Sequence, residues 1–251
     1  MSEKREEMSQ IEKKQPLGLI HVALIGLFAA LSYAAVYLRI PVGPMFVHPG
    51  NLVVVTAALL MGGWQGGLAG AIGMGLFDLL NGYADSAPKT LLLKFMIGLL
   101  TGLVYTAIRK REKFPLIPLL ACGITALVAT GCVVTYALTG PGFSFLTGLM
   151  AILCGIIGLL CLLFSFLGSR MNPKVAAAVV GASCGMVFNL LGETAEKFVR
   201  YLLEGGVLGT AITMAISAQV STVINVLLSV IGGVALFLPL EKPFAKICGR
   251  R

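Results

Sequence analysis

The sequence is poor in charge. Only 12% of its 251 residues are Asp, Glu, Lys or Arg, about half the share found in an ordinary soluble domain. Apolar residues make up 57%, and so little charge cannot cover a soluble sphere of this size. Although Gly and Pro are frequent, they follow no G-X-Y period, and Leu, Ile and Val are too common for disorder. The composition therefore predicts a polytopic membrane protein.

The sequence lacks the residue patterns of metal binding, disulfide frameworks and nucleotide binding. The six Cys include no C-x-x-C pair and there are only two His, so we expect no zinc site and no disulfide framework. No G-x-x-x-x-G-K-[ST] motif is present, so nothing in the sequence cradles ATP. Membrane topology explains the net charge of +8 better than binding to nucleic acid does, because basic residues concentrate on the cytoplasmic side of membrane proteins. We expect no cofactor and no metal.

One catalytic motif needs weighing. Residues 181–185, Gly-Ala-Ser-Cys-Gly, match G-x-S-x-G, but that motif works at a turn from a strand to a helix, and this copy lies inside an apolar run. An intramembrane serine protease would also need a His base near Ser183, and His21 lies at a comparable depth. This is the third and weakest interpretation, and we expect no enzyme.

Apolar runs divide the chain. A membrane-spanning helix needs about 17–25 residues, and the segments at 50–63 and 66–82 are short, so two short spans are favoured there over a re-entrant pair. The pattern predicts an all-α helical membrane bundle with about eight spans. The eight segments are 17–38, 50–63, 66–82, 89–109, 116–139, 144–168, 174–203 and 207–239.

The basic residues set the orientation. Fourteen Lys and Arg lie in the segments on the side of the termini, against four on the other side, Arg39, Lys89, Lys197 and Arg200. Because positive charge concentrates in the cytoplasm, we expect cytoplasmic tails at 1–16 and 240–251 around one transmembrane domain at 17–239.

Polar residues converge at one depth. Ionisable groups within a membrane cost at least a few kcal/mol each and usually face a wet cavity or the bundle interior. The sequence therefore predicts a pocket that opens to the outside. The alternative is that Asp78 and Lys94 form a structural ion pair. The candidates are Asp78, Asn81, Lys94, Glu193, Gln219 and Asn225 within or at the ends of spans, and His48 and Asn51 at the outer mouth.

Two outer loops flank this depth. The 39–50 loop contains three Pro and two Gly, which restrict it and let it turn tightly. Its apolar residues, Phe46 among them, suit a lid, and the alternative is a plain connector. The second loop, 82–88, carries Tyr83 and could close the other side.

Small residues recur at four-residue steps, a spacing that lets helix backbones approach closely. Most of these pairs are expected to pack inside the bundle, and some to form a docking face. The repeats are Gly62, Gly66 and Gly70; Gly98 and Gly102; Gly181 and Gly185; and Ala30 and Ala34.

The stretch Gly70 to Tyr83, GAIGMGLFDLLNGY, followed by APKT at 87–90 and by Lys94, resembles the substrate-binding S components of energy-coupling factor (ECF) transporters, in the riboflavin-type branch. IPVGP at 40–44, HPG at 48–50 and ALSYA at 30–34 fit the same family. The resemblance is good over 21–109 and moderate over 174–246, where Gln219, Asn225 and LPL at 238–240 resemble the last helix. We find none over 115–168.

The resemblance implies a six-helix core that binds one vitamin or vitamin precursor from the outside, in a prokaryotic plasma membrane. Such proteins dock onto a transmembrane coupling protein and two ATPase subunits, which use the ATP, and topple in the membrane to release their cargo. Ala30 and Ala34 would then belong to the docking face and the 39–50 loop would be the gate. The hairpin at 116–168, free of charge and His, would be an insertion.

The substrate stays open at this level. Phe46, Phe77, Tyr83 and Tyr201 could stack on an aromatic heterocycle, with amides and carboxylates at the ring edges. Riboflavin comes first by resemblance, followed by pyridoxine or a thiamin precursor. The second interpretation is a stand-alone secondary transporter or channel for a small polar solute, although the halves show no convincing repeat.

Overall fold

The chain folds mainly into α-helices. The computed structural model describes residues 18–42, 45–110, 170–207 and 219–248, together with scattered residues between 124 and 166. In the continuous ranges the helices are α1 (Leu19–Val36), α2 (Gly50–Met61), α3 (Gly63–Leu80), α4 (Ala87–Arg109), α5 (Pro173–Leu203) and α6 (Gln219–Ile247). A short 3₁₀ turn, Ala84–Ser86, precedes α4.

Four described segments are long and apolar enough to cross a membrane, Leu19–Val36, Ala84–Arg109, Pro173–Leu203 and Ser221–Ile247. The chain is therefore a multi-pass membrane protein by helix length and composition. By contrast, α2 has 12 residues, so at 1.5 Å per residue it is about 18 Å long and shorter than the ~30 Å hydrocarbon core. Its bounds agree with the expected segment, and the count of eight full spans stays a prediction.

The connection between α2 and α3 is one residue long. Gly62 takes a φ of 101°, a left-handed conformation that Gly adopts without steric cost. The expected segments, 50–63 and 66–82, place the break too late, since α3 already begins at Gly63. A Cβ atom on Gly63 would lie 2.5 Å from the carbonyl oxygen of Leu99, so this helix start lies directly against α4.

The 39–50 loop contains secondary structure that an all-α prediction misses. Strands β1 (Ile40–Val42) and β2 (Met45–Val47) form an antiparallel hairpin in which Pro41 pairs with Phe46. Residues 43 and 44, which connect the strands, lie outside the described residues.

The small-residue repeats separate into two groups. Cβ atoms on Gly98 and Gly102 would overlap the backbones of Gly67 and Gly63, so these glycines let α4 lie directly on α3. Gly181 and Gly185 likewise lie against Thr101 of α4. Ala30 and Ala34 are different, because both are exposed on α1.

Helix α6 extends past the expected end of its apolar segment at residue 239. It continues to Ile247 although Pro239 and Pro243 lie within it. The buried ring of Phe244 packs edge-on against Phe28 of α1, with 6.5 Å between the ring centroids. This packing holds the last turns of α6 on the bundle, so the segment expected to be a cytoplasmic tail begins as helix.

Helices α4 and α5 end and begin at the same side of the bundle. Arg109 at the end of α4 and Lys174 at the start of α5 both form ion pairs with Glu241 of α6. The chain between them therefore leaves and returns on one side of the bundle, and an inserted hairpin there stays a prediction. The hairpin expected at 116–168 lies for the most part outside the described residues, of which those between 124 and 166 are all helical.

Candidate functional site

A cavity of about 300 Å³ lies where α1, α3, α4 and α5 meet the β hairpin. This volume is at the lower end of the range for pockets that hold one small molecule. Apolar, aromatic and charged side chains all contribute to the wall. The lining residues are Val36, Arg39, Phe46, His48, Met74, Phe77, Asp78, Tyr83, Ser86, Lys89, Thr90, Lys94 and Glu193.

Asp78 lies in the last turn of α3 and is partly buried. Its Oδ2 accepts a hydrogen bond of 2.5 Å from the Thr90 hydroxyl of α4. The alternative of an Asp78–Lys94 ion pair is wrong, because Lys94 lies one turn further along α4 and pairs instead with Glu193 of α5. Asp78 therefore presents a carboxylate to the cavity that a Thr hydroxyl orients and no direct ion pair neutralises among the described residues.

Glu193 is the centre of a charged cluster between α4 and α5. Lys94 Nζ lies 3.6 Å from Glu193 Oε1, while Lys89 and Lys197 lie 3.2 Å and 3.3 Å from Oε2. Lys94 is buried and also donates a 2.8 Å hydrogen bond to Asn189 Oδ1. Buried charges are retained only where they are paired and hydrogen-bonded, and this cluster meets that condition.

Arg39 lies among three aromatic rings at the cavity wall. Its guanidinium carbon is 4.8 Å from the ring centroid of Phe46 and 5.6 Å from those of Phe77 and Tyr83. Its Nη1 also donates a 3.1 Å hydrogen bond to the Tyr83 hydroxyl. These are cation–π distances, so the side chain joins the β hairpin to the end of α3.

Asn225 holds the loop rather than lining the cavity. Its Oδ1 accepts from the His48 backbone N–H and its Nδ2 donates to the Phe46 carbonyl, both at 3.0 Å. His48 lines the cavity, and its Nδ1 accepts from the Gly50 N–H at 3.2 Å. Asn51 is buried and does not line the cavity, and its Oδ1 has no hydrogen-bond partner in the part of the chain that the structure describes.

Two further candidates lie elsewhere. Asn81 belongs to a hydroxyl network on α1, accepting from the Tyr37 hydroxyl at 3.0 Å and donating to the Phe77 carbonyl at 2.9 Å. It therefore ties the end of α3 to α1. Gln219 is the first residue of α6, and its side chain lies outside the described residues.

Six of the ten expected substrate-binding residues thus lie in the cavity wall, namely Phe46, His48, Asp78, Tyr83, Lys94 and Glu193. The sequence pattern missed Arg39, which it counted only as an outer charge, and Thr90, which it quoted only within the family motif. Its aromatic stacking candidate Phe77 lines the cavity, whereas Tyr201 is not among the lining residues.

Long apolar helices around a cavity with polar and aromatic lining residues at one end define a multi-pass membrane protein. Compared with known families, residues 18–149 match the S component of the ECF-type riboflavin transporter. The match covers more than half of the chain, and the chain belongs to this family. No curated protein and no solved structure matches the chain.

Membership gives the general function. The family consists of transporter components rather than enzymes, and its role is vitamin uptake together with an ECF module. The match also corrects the extent of the resemblance, since it continues through residue 149, where we expected none over 115–168. The 116–139 segment contains no charged residue, so a comparison of motif residues had nothing to align there.

Proposed function

We propose that the chain binds riboflavin in the cavity from the outside and is the S component of an ATP-driven ECF transporter. The observation that supports riboflavin is the combination of aromatic side chains with hydrogen-bonding groups of both kinds in the cavity wall. Phe46, Phe77 and Tyr83 line the cavity, and aromatic side chains contact a heterocycle by stacked or edge-to-face packing. Asp78 accepts hydrogen bonds, and Lys94 carries donors, so a ring system with polar edges is matched on its faces and on its rim.

The charge at the two ends of the bundle supports entry from outside. The cavity lies at the ends of α1 and α3 and at the start of α4. The opposite end of the bundle carries Arg109 and Lys174, and fourteen Lys and Arg of the sequence lie in segments on that side, against four in the segments on the cavity side. Since basic residues mark the cytoplasmic side, the cavity faces outward, in a prokaryotic plasma membrane.

The partner in this proposal is a coupling module of one transmembrane protein and two ATPases. Ala30 and Ala34 are exposed on α1, and a neighbouring helix could approach closely along this face. The sequence has no P-loop, so ATP hydrolysis would belong to the module. Pyridoxine and a thiamin precursor come next as substrates, and both would contact less of the aromatic wall.

The test is to purify the chain alone in detergent, record its visible spectrum and identify co-purifying small molecules by mass spectrometry. Near-stoichiometric flavin absorbance would support the proposal. A different bound vitamin would support the general role in vitamin uptake but would change the proposed substrate. A protein that carries nothing and binds none of a vitamin panel would contradict it and favour a stand-alone transporter, which solute uptake by the chain alone would then test.

A further inference from the structure

We propose that His48 is a specificity-determining residue, held as the neutral Nε2–H tautomer, and that it donates a hydrogen bond to an acceptor atom of the ligand. The acceptor is a carbonyl oxygen or an unprotonated ring nitrogen. This inference rests on the proposed function, because it needs the ligand to occupy the cavity that His48 lines.

The tautomer follows from one hydrogen bond. The Gly50 backbone N–H points to His48 Nδ1 at 3.2 Å, and a backbone N–H can only donate. Nδ1 is therefore the acceptor and carries no proton, which leaves the proton of the neutral ring on Nε2. Gly50 is also the first residue of α2, so the imidazole satisfies one of the N–H groups that every helix start leaves without an intrahelical partner.

The position of the ring is fixed from a distant helix. Asn225 of α6 accepts from the His48 N–H and donates to the Phe46 carbonyl, each at 3.0 Å. A single amide thus clamps the backbone on both sides of Val47. Asn225 is 7% exposed, so this clamp is shielded from water. Asn225 is a positioning residue for His48, not a contact of the ligand.

The surroundings oppose protonation of the ring. Burial is the largest cause that lowers the pKa of His48, to about 4, followed by the positive charge of Lys94 on α4. Arg39, before β1, acts in the same direction, and Glu193 on α5 acts against it. The positive end of the α2 dipole and the loss of the Gly50 bond add to the cost of a second proton.

This tautomer determines which hydrogen-bonding groups a ligand of the cavity must carry. Nε2–H is the remaining polar group of the ring, and it has no hydrogen-bond partner among the described residues. Asp78 can only accept when ionised, so His48 and Asp78 require complementary groups of a ligand. A heterocycle with carbonyl and N–H groups on its rim meets both requirements, whereas a hydrocarbon ring of the same shape meets neither.

The tautomer can be read directly, because the chain has two His. We would label the histidines with ¹⁵N in the full chain in detergent and use His21→Gln to assign the His48 signals. Between pH 8 and pH 5 the inference predicts an unprotonated Nδ1 and a protonated Nε2. Riboflavin should then shift the Nε2–H signal. A protonated Nδ1, a doubly protonated ring at pH 6, or an Nε2–H signal that bound riboflavin leaves unchanged would overturn it.

Binding variants separate this inference from the proposed function. His48→Phe keeps a flat ring but has no donor and should weaken riboflavin binding about tenfold, while His48→Gln, which keeps an amide donor, should lose less. His21→Gln is the control and should bind as the wild type does. Wild-type affinity of His48→Phe would overturn the donor role alone. Failure of the wild type to bind riboflavin would overturn the proposed function and the donor role with it.

Discussion

Lys94 Nζ and Glu193 Oε1 lie 3.6 Å apart across the interface of α4 and α5, and both side chains belong to the cavity wall. Glu193 also pairs with Lys89 and Lys197. One carboxylate therefore contacts three ammonium groups, and Lys89 also pairs with Glu196, so the cluster joins the two helices beside the cavity.

Removing this carboxylate should destabilise the fold. Glu193→Gln leaves Lys94 buried without its counter-charge, and breaking a buried pair from one side costs about 3–5 kcal/mol. The unfolding free energy in detergent, measured without ligand, should fall by about this amount. Glu204→Gln, at an exposed position after α5, is the control and should change little. The double variant Glu193→Gln/Lys94→Met should recover part of the loss. Equal stability of wild type and Glu193→Gln would remove the structural role of the cluster.

Asp78 should contribute to binding more than to folding. Its carboxylate is oriented by Thr90 at 2.5 Å and lines the cavity. A hydrogen bond to a charged group contributes about 1.5–3 kcal/mol, so Asp78→Asn should weaken riboflavin binding about tenfold or more. Asp85→Asn, at an exposed position outside the cavity lining, should bind as the wild type does. Unchanged affinity in a monodisperse Asp78→Asn protein would reject the role.

Arg39 should control how long the substrate stays. Its guanidinium contacts rings on the β hairpin and at the end of α3, and Lys lacks the planar face that stacks on them. Arg39→Lys keeps the charge and should speed riboflavin dissociation several-fold, as stopped-flow fluorescence would measure. Arg109→Lys serves as the matched control, because Arg109 lies at the end of α4 that is distant from the cavity. A dissociation rate equal to that of the wild type would show that stacking by Arg39 is dispensable.

Two helical glycines differ in what a methyl group would meet. A Cβ on Gly98 would overlap Gly67 of α3, whereas a Cβ on Gly26 meets no atom within 4 Å. Gly98→Ala should therefore destabilise the protein by about 1–3 kcal/mol through overpacking. Gly26→Ala should be neutral or slightly stabilising, because Ala favours helix. Similar unfolding midpoints for both variants would contradict the close contact of α3 and α4.

A bulky residue on the exposed face of α1 should separate binding from transport. Ala30→Trp adds a large ring where we propose that the coupling protein docks. Ala30 is not among the residues that line the cavity. Riboflavin binding should stay at the wild-type level, while uptake by the assembled transporter should be lost. Leu236→Trp, on an exposed position of α6, controls for a Trp in the membrane. Uptake at the wild-type rate by Ala30→Trp would remove this face from docking.

The hydropathy pattern predicted the helices well where they begin or end at polar or glycine residues. The starts and ends of α1, α4 and α5 lie within about two residues of the expected segments. The end of α6 was missed because Pro239 and Pro243 usually stop a helix, whereas the contact of Phe244 with Phe28 and the ion pairs of Glu241 hold its last turns on the bundle. The β hairpin was missed because three-residue strands carry little periodicity.

The sequence predicted how deep in the membrane the site residues lie, but not which side of each helix faces the cavity. Position along a span gives the depth of Asp78, Lys94 and Glu193, and all three line the cavity. Asn51 and Asn81 have suitable depths too, yet neither lines the cavity, since the angle around a helix axis is set by packing. The double hydrogen bond of Asn225 joins residues 177 and 179 positions apart, which no local pattern reveals.

The most direct test of the central claim is an equilibrium titration of riboflavin fluorescence with the purified chain, compared with its Tyr83→Ala variant. Stacking on aromatic rings quenches flavin emission, and Tyr83 lies in the cavity wall. We predict saturable quenching at one riboflavin per chain, weakened in the variant. No saturable quenching by the wild type, or identical curves for the two proteins, would contradict riboflavin binding in this cavity.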